Sequence, residues 1–341
     1  MIRQGLFKAL RIISLNYLFQ RTNPNKLYIL MFHRVNDENG RFYPAVPTRV
    51  FDQIAGFVSK RFDVIYVSEI KDFLKKDRRR PGIIFSFDDG HYDILENAYP
   101  ILQKYNLKFN INIVTESVET GLPQDNVMVY DVLNTTEKKK YLNSEILPEP
   151  IEIGIDNDFP VKTEIAFVKL FQGLNKQQRR LVTNDIRDKL SSASVRFSRM
   201  LSREDVKYLH DKGAEIGSHT HSHPMLSNID ISEMEFELSH SKRVLEEICG
   251  ASVDIIAFPD GKHDQEVIKK AIESGYEYLL LTEDRKNMVS PVQTRCLPSA
   301  DNASVQGLYR IGLYYKSLDE NLAKIFGFHQ AMYNAKKLLK K

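Results

Sequence analysis

Two adjacent carboxylates, Asp88 and Asp89, follow the apolar run GIIFSF at residues 82–87. Gly90 comes next and permits a tight turn of the chain. Functional groups of parallel sheets collect at the carboxyl ends of the strands, which is where this pair lies. Like charges at a partly buried strand end repel each other unless a cation neutralises one of them. From these residues alone, a helix-capping aspartate beside a solvated one remains the alternative to a metal site.

Three histidines fall within the segment GSHTHSHPML, residues 217–226, although the whole chain has nine. His219 and His223 are four residues apart, a spacing that separates two side chains by about 13 Å in an extended strand. In a helical turn the β-carbons at that spacing lie about 5–6 Å apart, close enough to share a metal ion. We therefore expect the chain to leave a strand at Gly217–Ser218 and to curl, which turns His221 away from its two neighbours.

These residue types suit metal chemistry. Two neutral imidazoles and one carboxylate leave coordination positions open for water and substrate, and they favour Zn²⁺ or another late divalent cation. One carboxylate of the aspartate pair would complete such a set with His219 and His223. A surface histidine cluster without a metal is the alternative that the residues leave open.

Short apolar runs of strand length alternate with amphipathic segments along the chain. Strands are predicted at residues 27–32, 63–67, 82–87, 109–114, 215–217, 253–258, 278–282 and 294–298. Helices are predicted from apolar periodicity at residues 51–60, 93–105, 232–248 and 264–275. This alternation is typical of an α/β protein with a parallel sheet covered on both faces, either open or closed into a barrel.

Residues 116–199 interrupt this alternation, and they separate the strand at 109–114 from the next predicted strand. The stretch is too long for a loop and contains helical sequence such as NKQQRRLVTNDIRDKL. We predict an inserted, mainly helical subdomain close to a substrate cleft.

Charge and cysteine content argue against a nucleic-acid-binding protein and against a disulfide-stabilised one. The net charge of +3 arises from 48 basic and 45 acidic residues, so no overall field favours nucleic acid as a partner. The two cysteines, Cys249 and Cys296, do not support a disulfide framework, which suits a reducing compartment.

Both ends of the chain have an amphipathic or basic character. Residues 1–25 are predicted to form an amphipathic helix whose apolar stripe consists of Leu6, Leu10, Ile13 and Tyr17. Arg11 interrupts the apolar stretch and no small-residue cleavage site follows it, so we predict neither a signal peptide nor a membrane span. The helix either packs on the domain or lies at a membrane surface. Residues 311–341 are predicted to form a basic helical tail.

The motif FSFDDG, followed downstream by GSHTHSHP, resembles the polysaccharide deacetylases, the NodB-homology group of family-four carbohydrate esterases. The helix-like stretch LSREDVKYLHDKGAEIG before the histidines and the segment DIIAFPDGKHD after them are similar to further motifs of that family. LYILMFHRV looks like the N-terminal strand of a circularly permuted branch. The resemblance implies a deformed (β/α) barrel of about seven parallel strands, formed by residues 26–115 and 200–310 around the insert.

The resemblance also implies a role for each matching residue. Asp88 corresponds to the general base, and Asp89, His219 and His223 correspond to the ligands of one divalent ion, Zn²⁺ or else Co²⁺, Ni²⁺ or Fe²⁺. His33 corresponds to the general acid of the permuted branch. Such a site activates a water for attack on an N-acetyl amide and protonates the amine that leaves.

The third motif departs from the family pattern, because Ala257 and Asp260 stand where the family often has an arginine and an aromatic residue. A backbone N–H within Pro259–Gly261 is still a candidate for holding the oxyanion, and Asp260 for substrate contact. Arg295 is our candidate for steadying Asp88, although a surface or core-rim arginine is the alternative.

Together these implications predict a metal-dependent hydrolase that removes N-acetyl groups from amino sugars of a polysaccharide or glycan precursor. A same-fold hydrolase of a smaller amide or imide, or a glycan-binding protein with an idle metal site, are the alternatives. Since no export signal is recognised, we expect a cytoplasmic protein. Residues 1–20 and the basic C-terminus are expected to make peripheral contact with the inner face of the membrane.

Overall fold

The computed structural model describes residues 26–135, 140–142, 151–153, 170–171, 174–190, 195–282, 287–288 and 306–327, apart from residues 39, 41 and 78. The strands in these ranges are β1 (Lys26–Phe32), β2 (Asp63–Val64), β3 (Gly82–Phe87), β4 (Phe109–Ile113), β5 (Lys140–Leu142), β6 (Ile151–Ile153), β7 (Glu215–Ser218), β8 (Ile255–Ala257), β9 (Tyr278–Leu281), β10 (Asn287–Met288), β11 (Gln306–Tyr309) and β12 (Ile311–Gly312). The α-helices are α1 (Thr48–Ser59), α2 (Ile70–Lys75), α3 (Tyr99–Lys104), α4 (Thr115–Thr120), α5 (Asp125–Thr135), α6 (Lys176–Leu190), α7 (Arg203–Asp211), α8 (Ile231–Cys249), α9 (Gln265–Glu273) and α10 (Leu318–Ile325).

The sheet follows the order β10-β1-β3-β4-β7-β8-β9-β11, and all neighbours except β10 and β1 pair in parallel. β11 lies beside β9, and after Arg310 the chain continues into β12, which pairs with β1 at the other side of the sheet. Residues 306–312 therefore bring the two sides together into a nearly closed barrel. The predicted α/β class and the barrel of about seven parallel strands are confirmed.

The strands of the barrel are buried on both faces, which explains why they appear in the sequence as continuous apolar runs. Along β3, Phe85 packs outward against helix α1, where its ring lies 6.0 Å from that of Phe51. Ile84 instead belongs to an apolar cluster contributed by several strands inside the barrel. Because side chains alternate along a strand, Ser86 and then Asp88 follow Ile84 toward the interior.

A polar layer lies inside the barrel above this apolar cluster. The Ser86 hydroxyl donates to Oδ1 of Asn110 at 2.9 Å and accepts from the Asn112 amide at 3.1 Å. All three side chains are fully buried. Gly217 on β7 faces this layer, and a β-carbon there would lie 2.4 Å from Oδ1 of Asn112. The glycine therefore leaves the space that the asparagine pair occupies.

Replacing Gly217 with alanine is expected to destabilise the protein by about 1–3 kcal/mol, because the new methyl group overpacks the polar layer and displaces Asn112. Chemical denaturation measures this change in the free energy of unfolding. Gly56→Ala in α1 is the matched control, because its methyl group meets only the movable hydroxyl end of Tyr105. Equal stability of the Gly217→Ala variant and the unmodified protein would contradict the expectation.

The described part of the predicted insert contains α5, α6 and the antiparallel pair β5–β6. A small apolar core joins α5 to α6 and includes Val132, Val182 and Ile186. The division of the chain into barrel, insert, N-terminal helix and tail stays a prediction.

The helices predicted from periodicity correspond to α1, to a π-helical turn (Ile94–Ala98) continued by α3, to α8 and to α9. The predicted strand at 294–298, the N-terminal helix at 1–25 and residues 328–341 of the basic tail lie outside the described residues. Within the described part of the chain, no helix is long and apolar enough to cross a membrane. α10 packs near α1, where the rings of Phe57 and Phe326 lie 6.2 Å apart.

Candidate active site

The chain turns sharply where β3 ends. Asp89 has a φ of 74° and Gly90 a φ of 79°, both in the left-handed region, which is uncommon for an aspartate. This turn separates the directions of the two carboxylates. Asp88 continues into the barrel interior, and Asp89 faces the histidine segment.

The histidine segment curls as predicted. β7 ends at Ser218, and Thr220 and His223 adopt φ values of 67° and 58°. The rings of His219 and His223 come within 4.8 Å of each other, measured between centroids. Oδ1 of Asp89 lies 3.5 Å from Nε2 of each ring. The structure thus brings together the three predicted ligands.

This arrangement fits a divalent cation. Oδ1 of Asp89 is buried and has no hydrogen-bond partner among the described residues, so a charged oxygen faces two imidazole nitrogens. Nδ1 of His219 lies 2.7 Å from the carbonyl oxygen of Ala257, which leaves Nε2 as its ligand atom. Burial raises the pKa of Asp89, but the charges of His223, His33 and His219 outweigh it and lower that pKa.

Burial lowers the pKa of His219 to about 4, from a value near 6.5 in an unfolded chain. As the pH falls through this window, the unfolded chain takes up a proton that the folded protein does not. The free energy of unfolding of the chelator-treated protein should therefore decrease, by up to roughly 3 kcal/mol from this group. Urea denaturation between pH 7.5 and pH 4 measures this decrease in the free energy of unfolding. In the His219→Gln variant the part of the decrease that His219 causes should disappear, whereas in the control variant His210→Gln it should remain. If the difference in unfolding free energy between His219→Gln and the unmodified protein did not change with pH, the lowered pKa of His219 would be ruled out as the cause.

Asp88 is held by two buried donors. Nη1 of Arg310 and Nδ2 of Asn112 lie 2.6 and 2.7 Å from its Oδ1. Burial raises the pKa of Asp88, but the charge of Arg310 and those of nearby histidines together lower it below its ordinary value. The carboxylate is therefore ionised at neutral pH.

Arg310 was not predicted. The candidate named from the sequence, Arg295, lies outside the described residues, and the guanidinium that contacts Asp88 belongs to Arg310, between β11 and β12. Its side chain is fully buried. The sequence signal is an arginine within the apolar stretch GLYRIGLYY, because a buried cation needs an anionic partner.

Tyr43 is a second site residue that sequence reasoning missed. Its hydroxyl donates to Oδ2 of Asp89, the oxygen on the other side of the carboxylate from the two histidines. Burial, together with the charge of Asp89, raises the pKa of Tyr43 well above its ordinary value, so the hydroxyl stays protonated as a donor. The Tyr43 ring also lies 5.5 Å from that of His33 and stacks at 5.7 Å on that of Tyr130.

The residues predicted to be catalytic or metal-binding line one cavity of about 320 Å³. Its lining includes Asp88, Asp89, His219, His223, His33 and Asp260. The structure therefore places the predicted general acid, general base and metal ligands around one space. Their catalytic roles stay predictions.

The protein-family model described as polysaccharide deacetylase matches residues 164–279, which include the histidine loop and the third motif. This stretch of the chain is similar to a polysaccharide deacetylase domain. A putative polysaccharide deacetylase of Bacillus subtilis, YxkH, is 20% identical over 263 residues. That match covers 76% of this chain and 66% of the relative, slightly less than two thirds of its length.

Two solved structures share the fold of this chain. The Streptococcus pyogenes deacetylase PplD, determined in complex with acetate, is 19% identical, with a TM-score of 0.57 over 89% of this chain and 99% of that one. IcaB from Ammonifex degensii is 14% identical, with a TM-score of 0.54 over 88% and 97% of the two chains.

The third motif of the matched region forms a 3-10 turn, Pro259–Gly261. The sequence predicts that a backbone N–H of this segment holds the oxyanion. Pro259 has no N–H, and the N–H of Gly261 donates to the carbonyl of Phe258 at 2.9 Å, so only the N–H of Asp260 remains a candidate. Asp260 is exposed at the cavity and has a φ of 53°.

Glu237 on α8 organises the histidine loop that follows β7. Its carboxylate is buried and accepts from the backbone N–H groups of His221 and Ser222 at 2.8 and 2.7 Å. As predicted, His221 points away from the cavity, and its Nδ1 lies 3.0 Å from the hydroxyl of Thr115. Contacts on the side away from the cavity thus hold the loop between His219 and His223 in place.

The Asp93 side chain anchors a loop rather than the helical turn that follows it. Its side chain does not cap the helical turn that begins at Ile94. It accepts instead from Nε of Arg34, the N–H of Val35 and the amide of Asn36, at 3.0, 3.2 and 2.7 Å. The carboxylate therefore anchors the loop that follows His33.

Proposed function

We propose that this protein is a metal-dependent hydrolase that removes N-acetyl groups from amino sugars of a polysaccharide or glycan precursor. The observation that carries the proposal is the convergence of Asp89 with His219 and His223 beside the buried Asp88–Arg310 pair. The similarity to a deacetylase domain and the relatives named as deacetylases support the same chemistry.

Asp89, His219 and His223 would hold the cation, which when bound would lower the pKa of a water toward neutrality and polarise the acetyl carbonyl. Tyr43 fixes the orientation of Asp89 through its outer oxygen. Since the donors to Asp88 both contact Oδ1, its Oδ2 is the oxygen available to take a proton from a water in the cavity. Asp88 thus acts as the general base.

His33 acts as the general acid. It lies where β1 ends, lines the same cavity as Asp88, and its ring packs against Tyr43. Base and acid therefore reach the substrate from two neighbouring strands, β3 and β1. A proton taken from water by Asp88 and one given by His33 to the amine nitrogen complete the hydrolysis.

The cavity also suits a sugar ring. Tyr130 from α5 and Phe171 offer aromatic surface, and Lys176 and Arg179 from α6 add polar donors. Aromatic faces and donors of this kind match the apolar faces and hydroxyl groups of a saccharide. The predicted insert therefore contributes to substrate binding in this proposal.

The test is acetate release from N-acetylglucosamine oligomers by the full chain, with and without a chelator. We expect release that a chelator abolishes and that added Zn²⁺ restores. Retention of Zn²⁺ without acetate release from any N-acetyl sugar would overturn the deacetylase proposal, and chelator-insensitive release would overturn the metal dependence.

We further propose that the enzyme works in the cytoplasm and touches the membrane through residues 1–20 and the basic C-terminus. The amphipathic pattern of the first segment and the lysines at 336, 337, 340 and 341 support this placement. Cell fractionation with and without residues 1–20 tests it, and a full-length protein found only in the soluble fraction would refute it.

A further inference from the structure

A second group of potential metal ligands lies on the outer side of the histidine loop. Glu119, His221 and His240 each place one ligand atom within 4.8 Å of the others. They come from three separate elements, namely α4, the loop after β7, and α8. None of the three lines the catalytic cavity.

Ring contacts fix the two imidazoles against each other. The centroids of His221 and His240 lie 4.6 Å apart, with the rings at 83°. Phe236 stacks on His240 at 4.8 Å and meets the edge of His221 at 5.4 Å. Nε2 of His240 lies 3.8 Å from Oε1 of Glu119.

His221 is held in the orientation that a ligand needs. Its Nδ1 contacts the hydroxyl of Thr115, so Nε2 is the nitrogen left for a cation, and its backbone N–H is bound by Glu237. A partner on the second ring nitrogen is the usual support of a metal-binding histidine.

We propose that Glu119, His221 and His240 form a second divalent-metal site, distinct from the catalytic one, that takes a borderline cation such as Zn²⁺. Two imidazoles and one carboxylate suit Zn²⁺ better than the oxygen-preferring Ca²⁺ or Mg²⁺. An ion at this position joins α4 and α8 to the loop between His219 and His223. The site therefore braces the loop that presents the catalytic ligands, whether or not the substrate is an N-acetyl sugar.

Arg243 modulates this site. Its Nη2 lies 3.0 Å from Nδ1 of His240, which places the proton of a neutral His240 ring on Nε2, the nitrogen that faces Glu119. A cation at Nε2 requires that proton to sit on Nδ1 instead, where it opposes the Arg243 donor. The Arg243 side chain, 59% exposed and paired with Glu247, has room to turn away. Arg243→Ala is expected to tighten Zn²⁺ binding several-fold.

The test is Zn²⁺ titration of the full chain against a chromophoric chelator. We expect two ions per chain for the unmodified protein, and one for either His240→Ala or Asp89→Asn, because each variant removes a different site. His210→Ala is the matched control and should keep both ions, since His210 on α7 belongs to neither group of ligands.

A second variant, Glu119→Gln, should weaken the His240-dependent ion about tenfold or more without loss of fold. Circular dichroism confirms that each variant is folded. Retention of two ions by His240→Ala, or an unmodified protein that binds only the Asp89-dependent ion, would overturn the second site. If the protein released no acetate, the His240-dependent ion should still bind. The deacetylase proposal and the second-site proposal can therefore be overturned independently.

Discussion

Asp88→Asn is expected to lower the rate of acetate release about 10²–10⁴-fold, because an amide cannot take a proton from the attacking water. The substitution preserves the size of the side chain, and its oxygen can still accept from Arg310 and Asn112. Metal content should stay unchanged, since Asp89, His219 and His223 are untouched. Initial rates of acetate release and metal analysis of the purified variant measure both effects.

The control for Asp88→Asn separates catalysis from stability. The variant leaves the buried guanidinium of Arg310 without its anion and is therefore expected to be less stable. The double variant Asp88→Asn/Arg310→Met removes the unpaired charge and should recover stability but not activity. More than a tenth of the original rate in a folded, metal-loaded Asp88→Asn protein would show that Asp88 is not the base.

Arg310→Met has the second large effect, on stability and on the pH dependence of catalysis. Breaking a buried ion pair from one side costs about 3–5 kcal/mol of unfolding free energy, because the remaining charge is left uncompensated. The pKa of Asp88 should rise, since the charge of Arg310 is the largest effect that lowers it against burial. The acidic limb of the rate profile should therefore move to higher pH.

The measurements are chemical denaturation and the dependence of kcat/KM on pH. Arg310→Lys is the matched variant, because it keeps the charge without the planar geometry, and its acidic limb should lie between those of the unmodified enzyme and Arg310→Met. A loss of stability without any movement of the acidic limb would assign Arg310 a purely structural role.

Local patterns in the sequence were sufficient to predict part of the site. Asp88 and Asp89 follow a continuous apolar strand, and the four-residue spacing of His219 and His223 requires a curl to bring them together. Both features are encoded within about ten residues, so periodicity and turn chemistry reveal them. The parallel sheet was predictable for the same reason, because several of its strands are apolar runs followed by amphipathic helices, whereas its closure into a barrel was implied only by the family resemblance.

The partners of these residues could not be predicted from local patterns. Arg310 is 222 residues away from Asp88 in sequence, and it lies between strands of four and two residues, too short for a strong strand pattern. Tyr43 lies in a loop with no periodicity and reaches Asp89 only through the tertiary fold. Asp93 precedes a helical turn like an ordinary cap, although its hydrogen bonds go to the loop after β1. Long-range pairing of polar groups depends on the completed packing of the barrel.

The position of Arg310 has a consequence for biosynthesis. The segment that joins β9 to β1 across the barrel also carries the counter-charge of Asp88, and it leaves the ribosome after every other described strand. A nascent chain that lacks residues 306–312 has the aspartates and histidines of the site but no cation beneath Asp88. In the proposed deacetylase, the Asp88 site would therefore be completed only when residues 306–312 dock, and the onset of hydrolysis would depend on that step.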